Sequence, residues 1–246
     1  MTAAQTIRNA VAGVVALRTE AATDPQLLGA VRNVKAFQAQ RFAGTYADLL
    51  RSSTYGAAAR FFLDELYGDK DYSARDAQFA RTAGGLQTFF PHQVVETAVR
   101  LVQLHALTEE LDHQMGQAWL TLGAKYPDPG ACYARAWQIV GRSAERTTQL
   151  EAVMEIGKEL ERLTRLPGLR MMLRMMRRPA QATNLSSLQA FLESGFDTFA
   201  TMGRQDAGAS AFFKIIRERE FALLRQLFSA DLVASETFLR LTLNAA

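Results

Sequence analysis

An all-α fold, a multi-helix bundle of about nine to eleven helices without a sheet, follows from three features of the sequence. Apolar residues recur at helical spacing almost throughout, no sustained two-residue alternation marks a half-buried strand, and the breaks coincide with proline or glycine. Alanine, leucine, arginine, glutamine and glutamate, all good helix formers, fill the segments between those breaks.

Taken in order, a first helix covers roughly residues 2–21, and Asp24-Pro25 starts a second. Aspartate suits the N-cap, and proline suits the first helical position, where its missing N–H costs nothing. Leu27, Leu28, Val31, Val34 and Phe37 give this helix its apolar face, and Gly44 is read as a kink or an end before a short piece at 46–50. After a joint at 53–56 comes the stretch FFLDELYG, 61–68, expected as a helix of about three turns stopped at Gly68. Ser73, with Asp76 at the acidic position of a capping box, opens a helix that Gly84-Gly85 is expected to break near residue 83. A long helix from 91 to about 122 carries the densest apolar stripe and is expected to be central.

The run Tyr126-Pro127-Asp128-Pro129-Gly130 is the strongest punctuation in the chain. The chain is read as one helical domain over 1–246, with two sub-bundles, 1–126 and 130–246, as the alternative division. Further helices follow at about 131–141, 143–165, 169–178, 184–202, 209–228 and 235–243, with Leu166-Pro167-Gly168, Pro179 and the loop 203–208 as stops.

Composition excludes more than it selects. Hydrophobic residues at 48% and charged residues at 22%, with mean hydropathy near zero at -0.07, fit neither a disordered nor a membrane-embedded chain. The net charge of +3 is too small and too scattered to make nucleic acid the expected partner. Cys132 is the single cysteine, so there is no internal disulfide and no multi-cysteine metal site, and a reducing cytoplasm is the expected compartment. The apolar run AVAGVVAL at 10–17 reads as a helix face, because Arg18 and Glu20 follow it without a small-x-small cleavage site.

Three stretches carry candidate chemistry. In FFLDELYG, Phe62, Leu63, Leu66 and Tyr67 share one arc of a helical wheel, whereas Asp64 and Glu65 diverge by about 100°. Divergent acids suit packing better than acid–base catalysis on one bond. Phe61 is left between Asp64 and Glu65, so these three residues are the candidates for a partner surface unless another helix covers Phe61. FFLDELYG resembles the signature of an uncharacterised bacterial family named for an FFLEELY motif, with Asp64 where the name has glutamate. The resemblance implies a helical bacterial protein and supplies no catalytic residues.

In LHALTEELDH, 104–113, His105, Glu109 and His113 recur every fourth residue along one helical stripe and are the candidate metal ligands. Glu110-x-x-His113 has the spacing used in di-metal bundles, but the second such pair is missing. The competing interpretation is a solvated helix face. Haem ligation by His105 is a remoter alternative, and no cofactor is expected. In RLPGLRMMLRMMRR, 165–178, Arg170, Arg174, Arg177 and Arg178 form one stripe, and Met172 and Met176 join leucines on an apolar side. Five arginines without an acid suit an anionic membrane surface, against a core helix whose arginines cover nearby acids such as Glu159 and Glu161.

Sequence supports for common hydrolase, dinucleotide, P-loop and zinc-protease chemistry are missing. Cys132 is read as a buried thiol, and KIIRERE at 214–220 as an exposed, salt-bridged face. The leading expectation is a non-enzymatic helical protein that binds a protein partner, a second copy of itself, or an apolar small molecule between helices. Association with an anionic membrane through 165–178 is the alternative, and metal or haem binding comes third.

Overall fold

The computed structural model describes residues 1–65, 71–123, 125–204, 208–229 and 231–244, with the backbone alone for 86–89. Among the described residues there are thirteen helices and no strand. In chain order they are α1 (Ala3–Thr23), α2 (Pro25–Thr45), α3 (Ala47–Arg51), α4 (Gly56–Glu65), α5 (Ser73–Phe89), α6 (His92–Leu122) and α7 (Pro129–Val140). The remainder are α8 (Ser143–Thr164), α9 (Leu169–Met175), α10 (Arg177–Ala182), α11 (Ser186–Met202), α12 (Gly208–Ser229) and α13 (Leu232–Leu243).

Aspartates cap several helix starts, Asp24 as expected and Asp128 and Asp231 besides. The Asp24 carboxylate accepts from the N–H groups of Gln26 and Leu27 at 2.9 and 3.3 Å, Asp128 from Ala131 at 3.1 Å, and Asp231 from Ala234 at 2.8 Å. Asp76 departs from its expected capping position. Asp71 takes the cap instead, accepting from Ser73 N–H at 2.9 Å, and Asp76 turns inward.

Two expected breaks are absent. α5 continues through Gly84 and Gly85 because Ala83 is fully buried against Ile7, Val11 and Val102, and this packing offsets the helix cost of the two glycines. Pro179 does not stop the chain either. It sits in the first turn of α10, where its N–H would lack an intrahelical acceptor in any case. The true break lies at Met176, which divides 169–182 into two short helices. The stop expected at Gly68 and the packing of Leu66 and Tyr67 fall outside the described residues.

α6 is central, packed by α1 and α2 on one side and by α7 and α8 on the other. Helices from either side of the proline-rich turn pack together: α8 on α6, α11 on α4 and α5, and α13 on α2. One core cluster joins Phe42, Tyr46, Phe61 and Phe62 to Phe199, Phe212 and Phe213. A second, around Phe37, Met115, Tyr133 and Trp137, joins α2, α6 and α7 to α12 and α13.

Two glycines are set by close approach. A Cβ on Gly44 would lie 1.9 Å from the Thr242 carbonyl oxygen, so this residue lets α2 touch α13, and the helix ends one residue later, at Thr45. A Cβ on Gly157 would lie 2.0 Å from the Phe213 ring. Gly157→Ala should therefore destabilise the protein by about 1–3 kcal/mol through overpacking. Gly13→Ala, on an open helix face with nothing within 4 Å, should stabilise it by about 0.5–1 kcal/mol. Urea unfolding of the two variants is expected to give shifts of opposite sign.

Candidate functional site

Two helices carry polar residues where their periodicity demands apolar ones. On α2, Gln38 and Arg41 lie beside Phe37 and Phe42 and are buried with them. On α6, Glu109, Asp112 and His113 are 7%, 3% and 5% exposed. The face expected to be solvated is therefore a core face. Buried acids need partners, and neighbouring helices supply them.

Lys35 Nζ donates to Glu109 Oε1 at 2.7 Å, and Arg18 of α1 lies 3.4 Å from the same oxygen. Gln38 donates to Asp112 at 2.9 Å. Arg41 and the Tyr46 hydroxyl both donate to Glu220 of α12, at 2.6 and 2.8 Å. Asp76 of α5 meets Arg18 at 2.9 Å and His105 at 3.0 Å. From α8, the Arg146 guanidinium stacks over Trp137 at 4.4 Å and donates to Gln149, which donates in turn to Thr108 at 2.7 Å.

All of these groups except Arg18 and Tyr46, which stand behind them, line a cavity of about 280 Å³. A single water needs only about 10–15 Å³ of such space, so this is no packing defect. The rest of the wall is largely apolar, with Phe61 from α4, Phe79 from α5, Leu101 from α6, Leu160 from α8, and Leu192 and Phe196 from α11. A second, outer hollow of about 300 Å³ shares Glu65, Tyr72, Arg75 and Phe191 with the inner one. The Arg75 guanidinium, 4.2 Å from the Tyr72 ring and 4.6 Å from the Phe191 ring, stands between the two and pairs with Glu65 at 3.3 Å.

Burial and charge divide the acids. Burial opposes ionisation of Glu109, but the Lys35 charge and hydrogen bond, helped by Arg18, outweigh it and hold the carboxyl below its usual range. Asp76 is likewise held low, burial being outweighed by the His105 hydrogen bond and by the charges of His105, Arg18 and Arg75. Asp112 goes the other way. Its burial dominates, Lys35 and Arg146 offset only part, and the carboxyl is pushed up.

The sequence candidates fall as follows. Phe61 is buried, stacked on Phe191 at 5.9 Å and edge-on to Phe199, so it belongs to the cavity wall and not to an outer partner surface. Asp64 is exposed, and its backbone oxygen accepts from the Tyr72 hydroxyl at 2.9 Å. Glu65 is half-buried against Arg75. His105, Glu109 and His113 do not converge. His105 faces Asp76, Glu109 faces Lys35 and Arg18, and His113 faces Glu20 at 3.3 Å; no group of three or more metal-ligating side chains stands together among the described residues.

In the arginine-rich stretch, Arg170 pairs with Asp197 at 2.8 Å and Arg177 with Glu193, both acids coming from α11. Of the two acids expected to be covered by this stretch, Glu161 does pair with its first arginine, Arg165, at 2.6 Å, whereas Glu159 pairs with Arg162. Sequence-remote acids thus offset much of a charge that looks unopposed along the chain. Arg174 and Arg178 are exposed, Met172 and Met176 half-buried, and the exposed methionines are Met171 and Met175. Among the described residues no helix is long and apolar enough to cross a membrane. Glu220 departs from the exposed face expected at 214–220, being buried against Arg41, whereas Lys214 and Glu218 do lie outside. Cys132 is buried, and burial pushes its thiol up to about 11.

Sequence periodicity missed Lys35, Gln38, Arg41, Asp112, Arg146 and Glu220. The available signal was polar residues interrupting apolar faces, at Gln38 and Arg41 beside phenylalanines and at Glu220 between Ile216 and Leu223.

The sequence profile of the family described as Domain of unknown function (DUF8198) matches residues 17–233. The chain belongs to that family, whose description assigns no activity and carries no motif name. No curated protein and no solved structure matches the chain.

The two pKa directions predict opposite pH effects. Glu109 is held low, so its contribution to stability is present above the ordinary glutamate range and is lost as pH falls below it. Asp112 is pushed up, so its contribution is present at low pH and is lost as pH rises through its raised folded value. Glu109→Gln should cost about 1–3 kcal/mol at neutral pH and flatten the acid limb, because it leaves the half-buried Lys35 without its carboxylate. Asp112→Asn should gain stability over wild type as the pH is raised. Denaturant unfolding measured at several pH values checks both.

Proposed function

We propose that this member of the DUF8198 family binds an elongated amphipathic small molecule in the cavity between its helices, without acting on it chemically. The observation that carries this is the roughly 280 Å³ cavity whose two walls differ in kind, one aromatic and aliphatic, the other built from buried charged and amide groups. Such a cavity approaches the size range of small-molecule sites, about 300–1,000 Å³, and has their mixture of apolar surface and a few placed polar groups.

Energetics favour an occupant. On the scaling seen for buried leucine truncations, an unfilled cavity of this size costs on the order of 5 kcal/mol. That is comparable to the whole stability of many domains, so a ligand restoring those contacts would stabilise the fold appreciably. Phe61 takes its place here: the first residue of FFLDELYG forms part of the apolar wall, and Glu65 holds Arg75 between the inner and outer hollows.

The test uses Nile red, a neutral dye whose emission rises in apolar surroundings. Wild type is expected to bind it saturably. Leu101→Trp and Leu160→Trp, which place an indole in the cavity, should weaken binding by about tenfold or more while keeping a cooperative thermal transition. Equal dye binding by wild type and by both folded variants would contradict the proposal.

A further inference from the structure

α9 presents apolar side chains on both of its faces. Leu169 and Leu173, one turn apart, are buried and line the cavity. On the outer face Met171 and Met175, again one turn apart, are 66% and 64% exposed. Each stands beside an exposed arginine, Arg170 and Arg174, so the outer stripe repeats Arg-Met on successive turns. Arg178, at the start of α10, continues it. A single exposed apolar side chain is ordinary, but two on one face, framed by cations, make an amphipathic surface.

The charge of that surface is not fully met from within the chain. Arg165, Arg170 and Arg177 pair with Glu161, Asp197 and Glu193. Arg174 and Arg178 have no acid in ion-pair distance among the described residues. Glu193, whose charge Arg174 also feels, is already engaged through both oxygens by Arg177 and by the Gln189 amide. Five arginines thus face three acids, and the two left over are exposed beside the methionines.

An anionic bilayer complements this arrangement. Guanidinium groups settle at the level of the lipid phosphates, and unbranched methionine side chains reach the boundary between headgroups and acyl chains. An acidic protein would meet the arginines equally well, but the position of α9 separates the two partners. Its inner face is cavity wall, so one helix diameter, about 10 Å, lies between the outer surface and the cavity. A bilayer against the outer face brings a store of amphiphiles to the far side of that one helix, and an acidic protein does not.

We propose that α9 and the start of α10 dock on an anionic membrane surface, with Met171 and Met175 at the headgroup boundary and Arg170, Arg174 and Arg178 among the lipid phosphates. This goes beyond cavity binding, and its test does not depend on it.

The experiment is co-sedimentation of the protein with vesicles of phosphatidylcholine alone and of phosphatidylcholine mixed with phosphatidylglycerol, at low and high salt. Wild type is expected to bind the anionic vesicles about tenfold or more tightly than the neutral ones, and to lose that preference as salt is raised. Arg174→Glu/Arg178→Glu should weaken anionic binding by about tenfold or more. Met171→Ser/Met175→Ser should also weaken it, which adsorption by charge alone would not produce. The control Arg8→Glu/Arg240→Glu makes the same change of net charge at exposed sites elsewhere and should bind like wild type. All six positions are exposed, so the variants should keep the wild-type thermal transition. Equal binding to both kinds of vesicle, or equal loss in the control and in the Arg174/Arg178 variant, would overturn the proposal. So would a methionine variant that binds like wild type, or wild type that ignores vesicles and binds soluble poly-glutamate. Vesicle binding by a protein that does not take up Nile red would uphold this surface and sink the cavity reading, and the reverse result would do the opposite.

Discussion

Glu109, deep on α6, is held by Lys35 of α2 at 2.7 Å and by Arg18 of α1 at 3.4 Å, and much of the bundle is arranged around that requirement. A carboxylate taken out of water costs several kcal/mol unless cations accompany it. Meeting the demand ties the first two helices to the central one, and Arg18 extends the link to Asp76 on α5. Arg41 and Glu220 repeat the arrangement between α2 and α12. Such pairs add little net stability compared with an apolar core, but they penalise any slip in register that would leave one member alone. Their contribution is best understood as fixing which helices meet and at what height.

The polar wall also explains why the interior does not close up. Side chains committed to one another across α2, α6, α8 and α12 are not available to fill the space they share with Phe61 of α4, Phe79 of α5, and Leu192 and Phe196 of α11. Phe61 and Phe62 are anchored on that side by Phe199, Phe212 and Phe213, in edge-on and tilted pairs with centroids 5.5–6.5 Å apart. Two rigid walls of unlike polarity with a cavity between them make an amphiphile the natural complement.

Periodicity made the helices legible, because it depends on neighbours three and four residues apart. The cap at Asp24 and the central position of residues 91–122 could be read directly from sequence. What escaped depended on distant residues. Gly84-Gly85 looks like a stop until Ala83 is seen against α1, and the arginines of 165–178 look unopposed until α11 brings Glu193 and Asp197 to them. The stripe at His105, Glu109 and His113 was noticed for its spacing, yet sequence offered two interpretations, metal ligation or a solvated face. A buried ion-pair face was missed because each partner lies on another helix. Asp112 and Arg146 carry no local motif at all, and only the cavity singles them out.

The central claim, that two unlike walls enclose a ligand site, is tested most directly by a crystal structure of the protein purified without delipidation. The account predicts continuous elongated density between the walls, with one end within hydrogen-bonding distance of a charged or amide side chain of the polar wall and the remainder along Phe61, Leu101 and Leu192. Helices closed onto one another with the walls in contact, or a cavity holding only scattered waters, would contradict it.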